Sequence, residues 1–238
     1  MTQWSRGLAL CAVVCAALPA GAAQAAPPAP PAAVAQANIA RIVALTPARP
    51  RLRGRASITI DPVAPLSRAQ TQLRIVARRQ VDGRWFVRVL LPRRPNGRSA
   101  WVAADRVTLL HTRWHVWVDR AARRLTITRG GRVVRRARIV VGKPGSPTPA
   151  GTFAIAERVP QPSARGFVGP WVLALTAFSG IYRQFDGGPG RVAIHGRAGA
   201  SLRDPLGTAR SHGCVRVDNA LVRWMARRLQ PGVPVTIR

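Results

Sequence analysis

Cys214 stands in the run Ser211-His212-Gly213-Cys214-Val215-Arg216, with one histidine two residues before it and another, His195, opening the segment that leads to it. The remaining cysteines, Cys11 and Cys15, sit in an apolar leader, so the mature chain carries one thiol and no disulfide partner for it. Such a thiol in an exported chain is either inert and buried or a reagent. With only four histidines in the chain, two of them near the cysteine favour the reagent. An unperturbed thiol titrates near 8.5, and an adjacent imidazole is expected to depress that value and enlarge the small thiolate share present at neutral pH. Gly213 is free to take a positive φ and to bring backbone close to a bound group. The excursion Gly196 to Arg210 is long enough to place a histidine at one strand end against a cysteine on a neighbouring strand, the contact that a Cys-His nucleophile requires.

The elements that must position these residues are mostly strands. Ala56 to Ile60, Leu73 to Ala77, Trp85 to Leu90 and Ala100 to Ala103 alternate with period two and are broken by Asp82-Gly83 and Pro95-Asn96-Gly97, the pattern of short antiparallel strands joined by tight turns. Trp85 and Trp101 are expected in the core of that region, given the area a tryptophan buries. Further on, Leu125 to Thr128, Gly130-Gly131 and Val133-Val134 form a hairpin signal. The loop Pro144 to Pro149 then leads to a strand beginning at Gly151. Phe167 to Pro189 gathers Trp171, Phe178, Tyr182 and Phe185 among glycines. Asp218 is a suitable N-cap for a helix through Leu229, whose Leu221, Val222, Trp224, Met225 and Leu229 share a face expected in the core. Pro231-Gly232 stops it, and Val233 to Ile237 closes the chain as a strand. The fold class is therefore mainly β, with two packed sheets and one main helix in the second half.

Composition bounds the surroundings. Residues 1–25 carry Arg6, an apolar run Leu8 to Leu18 and the small-x-small pattern Ala23-Gln24-Ala25, the signature of a cleaved export signal. Leu10 and Val14 precede the leader cysteines where a lipoprotein needs a small residue. Residues 26–38 are nearly all Ala and Pro, a disordered linker by composition. A β domain over 39–111 and a second domain over 112–238 follow. The formal net charge is +30 and almost wholly arginine, Lys143 being the single lysine. The arginines are scattered along the chain in pairs rather than gathered on one stripe, which argues against a specific nucleic-acid partner. Their sum favours contact with anionic wall polymers or a membrane surface.

Two resemblances emerge. Gly83-Arg84-Trp85-Phe86-Val87-Arg88-Val89, then Gly97-Arg98-Ser99-Ala100-Trp101-Val102, then Val107-Thr108-Leu109 resembles bacterial SH3-like domains, which implies a small N-terminal SH3-like β-barrel with a targeting or spacing role. In the second half, His195-Gly196, the spacing to Ser211 to Arg216, the upstream Thr148 to Phe153 and the closing Gly232 to Ile237 together resemble the L,D-transpeptidase catalytic domain of the YkuD type. That resemblance implies a β-sandwich with Cys214 as nucleophile, His195 as general base and the Gly196 carbonyl orienting the imidazole. It implies an oxyanion hole from backbone N–H groups around Gly213 and Cys214, with Ser211, His212 and Arg216 lining or bracing the pocket and Tyr182 as a candidate lid residue. It implies a peptidoglycan stem tetrapeptide as substrate, transfer to an amine of another stem to give a 3-3 cross-link or to a protein amine, a periplasmic or wall location, and no cofactor. Arg197 stands where many relatives carry threonine.

Alternatives remain at this level. An L,D-carboxypeptidase would pass the same thioester to water. A non-catalytic wall-binding protein would leave the thiol unused. A zinc site would recruit His195, His212 and Cys214 as ligands, although His-Gly-Cys gives poor convergence. A papain-like endopeptidase normally places its cysteine before its histidine, and here the cysteine follows.

Overall fold

The computed structural model describes Met1, residues 38–185 and residues 187–238. The export signal, the leader cysteines and most of the Ala/Pro linker lie outside the described residues.

Seven strands occupy the first half: β1 (Ile39–Ile42), β2 (Thr46–Ala48), β3 (Ile58–Ile60), β4 (Gln72–Val81), β5 (Arg84–Leu90), β6 (Ser99–Ala103) and β7 (Val107–Leu110). Five of them make an antiparallel sheet in the order β6-β5-β4-β1-β7, and β2 pairs with β3 beside it. The turn between β4 and β5 puts Asp82 and Gly83 at φ +48° and +74°, the doubly positive geometry a two-residue hairpin needs. Alternation along these strands delivers Ile42, Leu73, Val87, Val89 and Val102 to one core. Trp101 is buried against Phe86 and Ala103, whereas Trp85 is only half-buried at the edge of the main cluster.

The second half contains β8 (Trp114–Asp119), β9 (Arg124–Arg129), β10 (Arg132–Arg138), β11 (Val141–Gly142), β12 (Gly151–Pro160), β13 (Trp171–Phe178), β14 (Arg191–His195), β15 (Ala209–Ser211), β16 (Val215–Arg216), α1 (Asn219–Arg228) and β17 (Pro234–Ile237). The two expected sheets are joined through β12 into one curled eight-stranded order, β10-β9-β8-β17-β12-β13-β14-β16, with β11 and β15 paired alongside. The physical reason is continuity. The terminal strand β17 inserts between β8 and β12, and β12 is shared by two ladders, its Gly151–Ala154 part pairing with β17 and its Ile155–Pro160 part with β13.

The helix begins where Asp218 accepts a hydrogen bond from the Ala220 N–H at 2.7 Å. Its Val222, Met225 and Leu229 are fully buried in the sheet core. Leu221 and Trp224 are only partly buried. Trp224 lies edge-on to Trp114 at 5.7 Å and carries the guanidinium groups of Arg135 and Arg228 on its ring, so it caps the core rather than filling it.

The two halves are joined by specific contacts. Gly232 has no room for a side chain because Ile39 of β1 packs against it, a Cβ there meeting that residue at 2.8 Å. Asn38 exchanges two hydrogen bonds of 2.8 Å with the backbone of Thr112. Among the described residues no helix is long and apolar enough to cross a membrane.

Candidate active site

β14 and β16 run parallel, with Ile194 opposite Val215 and His195 opposite Arg216. That register sets Cys214, the residue before β16, beside the strand that ends in His195. Both side chains face one cavity of about 590 Å³, whose wall also includes Phe167, Tyr182, Phe185, Arg191, His212 and Arg216.

His195 is buried, and its Nδ1 lies 2.7 Å from the Gly196 carbonyl. A carbonyl only accepts, so Nδ1 carries the proton and Nε2 of the neutral ring keeps its lone pair. Burial lowers the imidazole pKa to about 4 against the opposing pull of the Gly196 and Val168 backbone, with the Arg216 charge adding to the depression. The ring is therefore a neutral base at physiological pH. Gly196 itself is required by space, because a Cβ there would meet Asn219 Oδ1 at 2.2 Å and Pro170 at 3.0 Å.

Cys214 departs from the sequence expectation. Burial pushes its thiol above the ordinary range, and the opposing effects of an Ala193 backbone hydrogen bond and the Arg216 charge do not overcome this. A nearby neutral imidazole supplies no positive charge to depress the thiol, so the resting pair is thiol and imidazole rather than an ion pair.

Ser211 is fully buried behind the turn instead of facing the cavity. Its hydroxyl accepts from the Gly213 N–H at 3.2 Å and donates to the Cys214 carbonyl at 2.6 Å, closing the turn on itself. Gly213 sits at φ +117°, a region that disfavours any side chain. The Ser211 carbonyl accepts from the Lys143 N–H at 2.9 Å, which fastens the turn to the proline-bounded loop after β11.

Arg216 is buried, ion-paired to Asp204 at 2.5 Å and laid over the Phe167 ring at 4.9 Å. Asp204 follows a 3-10 turn at Gly199–Arg203, whose Ser201 hydroxyl donates to the Phe167 carbonyl at 2.8 Å. The excursion between His195 and Cys214 thus returns to brace the site it encloses. His212, exposed, forms an aromatic trio with Tyr182 and Phe185 at centroid distances of 6.0, 5.4 and 5.3 Å. Among the described residues no three His, Cys, Asp or Glu side chains converge to hold a metal.

Sequence reasoning missed three residues. Asn219 brackets Arg197, accepting from its N–H and donating to its carbonyl, both at 2.8 Å, and so fixes the backbone that carries the His195 hydrogen bond. Glu157, 2% exposed in β12, receives Arg191 at 2.9 Å and the Leu66 and Ser67 N–H groups at 2.8 and 2.9 Å. Arg94 binds the loop that carries Tyr182. The one sequence signal available was Glu157, an acid inside an apolar strand of a chain that has only eight acids.

A buried histidine oriented by the carbonyl of the following glycine and a cysteine on the adjoining parallel strand is the arrangement found over residues 113–237, and those same residues match the family model of the L,D-transpeptidase catalytic domain. The chain belongs to that family. Among solved structures, an L,D-transpeptidase from Mycobacterium smegmatis is 17% identical, covers 74% of this chain and all of its own, and has a TM-score of 0.41. L,D-transpeptidase 3 from Mycobacterium tuberculosis, in complex with a faropenem-derived adduct, is 13% identical over 65% of this chain and 91% of its own, with a TM-score of 0.43. An Enterococcus faecium L,D-transpeptidase mutant is 20% identical over 55% and 53%, with a TM-score of 0.40. No curated protein sequence matches significantly. These overall likenesses are weak, and membership rests on the match over the L,D-transpeptidase domain itself.

Proposed function

We propose that the chain is a peptidoglycan L,D-transpeptidase in which Cys214 is the nucleophile and His195 the general base. The observation that carries the reading is the shared cavity of Cys214 and a neutral, carbonyl-oriented His195. Cys214 Sγ attacks the carbonyl carbon before the terminal D-Ala of a stem tetrapeptide as its proton passes to His195 Nε2. Collapse of the tetrahedral intermediate breaks the peptide bond, and the departing D-Ala amine takes the proton back. A thioester remains. An amine of a second stem then attacks the thioester, His195 removes that amine's proton, and the sulfur leaves as the 3-3 cross-link forms. Since Ser211 Oγ engages the Gly213 N–H, the Cys214 N–H is the donor we assign to the developing oxyanion. Arg216 favours the sulfur anion of the attacking and departing thiolate, while the same charge opposes protonation of His195, so its help lies on the sulfur side of each step.

We further assign residues 39–111 to an SH3-like module and 112–238 to the catalytic domain, a division supported by two separate hydrophobic clusters. Export to the periplasm or wall places the enzyme with its substrate, and the basic surface favours anionic polymers there. Incubation with a synthetic stem tetrapeptide and an acceptor stem should release D-Ala and yield a cross-linked dimer by mass spectrometry. D-Ala release with no dimer would convert the reading to a carboxypeptidase, and no release at all would reject it.

A further inference from the structure

The hairpin that joins β5 to β6 reaches across from the first sheet and grips the loop between β13 and β14. Arg94 Nη1 donates to the Ser179 carbonyl at 2.8 Å, and Nη2 donates to the carbonyls of Tyr182 at 2.7 Å and Pro189 at 3.2 Å. One guanidinium thus satisfies carbonyls from both ends of the loop, while its plane lies over the Phe178 ring at 5.1 Å. Two residues on, Asn96 donates to the Phe178 carbonyl at 2.9 Å and accepts from the Phe178 N–H at 2.8 Å, extending β13 by a side-chain pair. The loop base is closed by Ser179 N–H to the Gly190 carbonyl at 2.8 Å. It is so tight that a Cβ at Gly190, φ +66°, would meet the Tyr182 carbonyl at 2.2 Å and Arg94 Nη2 at 3.1 Å.

The loop presents Tyr182 and Phe185 to the cavity that holds Cys214, packed against His212 two residues from the thiol. We propose that Arg94 and Asn96 are positioning residues for acyl transfer: through the loop backbone, the N-terminal sheet sets the Tyr182 and Phe185 wall of the cavity. The proposal rests on the acyl-transfer reading above and gives the first sheet a part in the reaction in addition to any role in targeting. The fork geometry of arginine suits this contact better than a point charge does. A lysine ammonium concentrates its donors at one point and does not reproduce the two-nitrogen fork that meets the Ser179 carbonyl on one side and the Tyr182 and Pro189 carbonyls on the other.

Tyr182 is the only tyrosine in the chain, so 3-fluorotyrosine labelling of the full chain reports this wall as a single fluorine resonance. Arg94→Ala and Arg94→Ala with Asn96→Ala should move that resonance toward the free amino acid and slow acylation by a carbapenem about 10-fold or more. Iodoacetamide, small enough to need no shaped wall, should alkylate Cys214 at the wild-type rate, and far-UV circular dichroism should be unchanged. Arg94→Lys should recover part of both losses. An unmoved resonance, a moved resonance with unchanged acylation, or alkylation falling in step with acylation would each overturn the proposal. A wild type that no carbapenem acylates would reject the acyl-transfer reading, while the fluorine shift would still decide whether the hairpin holds the loop.

Discussion

At the scale of single residues the proposed catalytic pair, Cys214 and His195, is neutral at rest, and this has a measurable pH signature. His195 is a base only when unprotonated, and burial holds its pKa at about 4. Carbapenem acylation, followed by stopped-flow absorbance, should therefore stay level from neutral pH down through the ordinary histidine range near 6.5 and fall only as the pH approaches 4. Loss centred near 6.5 would show that the imidazole is solvated. Gly196 offers a steric test. Gly196→Ala forces a methyl into Asn219 and should destabilise the fold by about 1–3 kcal/mol in chemical denaturation, with acylation falling further because the His195 carbonyl anchor moves. That Cys214 and His195 border one cavity was legible because these scarce residue types recur at a meaningful spacing, whereas the part given to Gly196 came from the family resemblance. The thiol pKa was not, since spacing implies an imidazole neighbour whereas the shift depends on burial.

At the scale of elements, the strands and the one helix were legible from alternation and from Asp218, Gly130-Gly131 and Pro231-Gly232. Sheet order was not, because nothing local to Val233–Ile237 says that β17 inserts between β8 and β12. Long-range partner choice is equally silent in the sequence, as Glu157 illustrates. It joins the Leu66-Ser67 turn of the first half to Arg191, the first residue of β14 and part of the cavity wall. Glu157→Ala removes the carboxylate partner of the part-buried Arg191 guanidinium and the acceptor of two backbone donors, and should cost about 3–5 kcal/mol in urea unfolding. A loss below about 1 kcal/mol, the value of an exposed pair, would show that water replaces the carboxylate.

At the scale of the whole molecule, stability should follow the histidine. The unfolded chain binds a proton at His195 near pH 6.5 and the folded chain only near 4, so the unfolded state takes up more protons in that window. Stability is full above about 6.5 and falls by about 3 kcal/mol as the pH drops to 4. His195→Gln should flatten the thermal-melting profile across that window, and an unflattened profile would place the titration elsewhere. The two sheets and the cavity also form one mechanical unit, because the contacts of Arg94, Asn96 and Glu157 all connect the first half to strands or loops that border the cavity. The central claim, that the thiol of Cys214 takes up the acyl group, is tested most directly by intact-protein mass spectrometry after incubation with a carbapenem. The account predicts one covalent adduct on the wild-type chain and none on a folded Cys214→Ala chain, and an unmodified wild type, or an equal adduct on the variant, would contradict it.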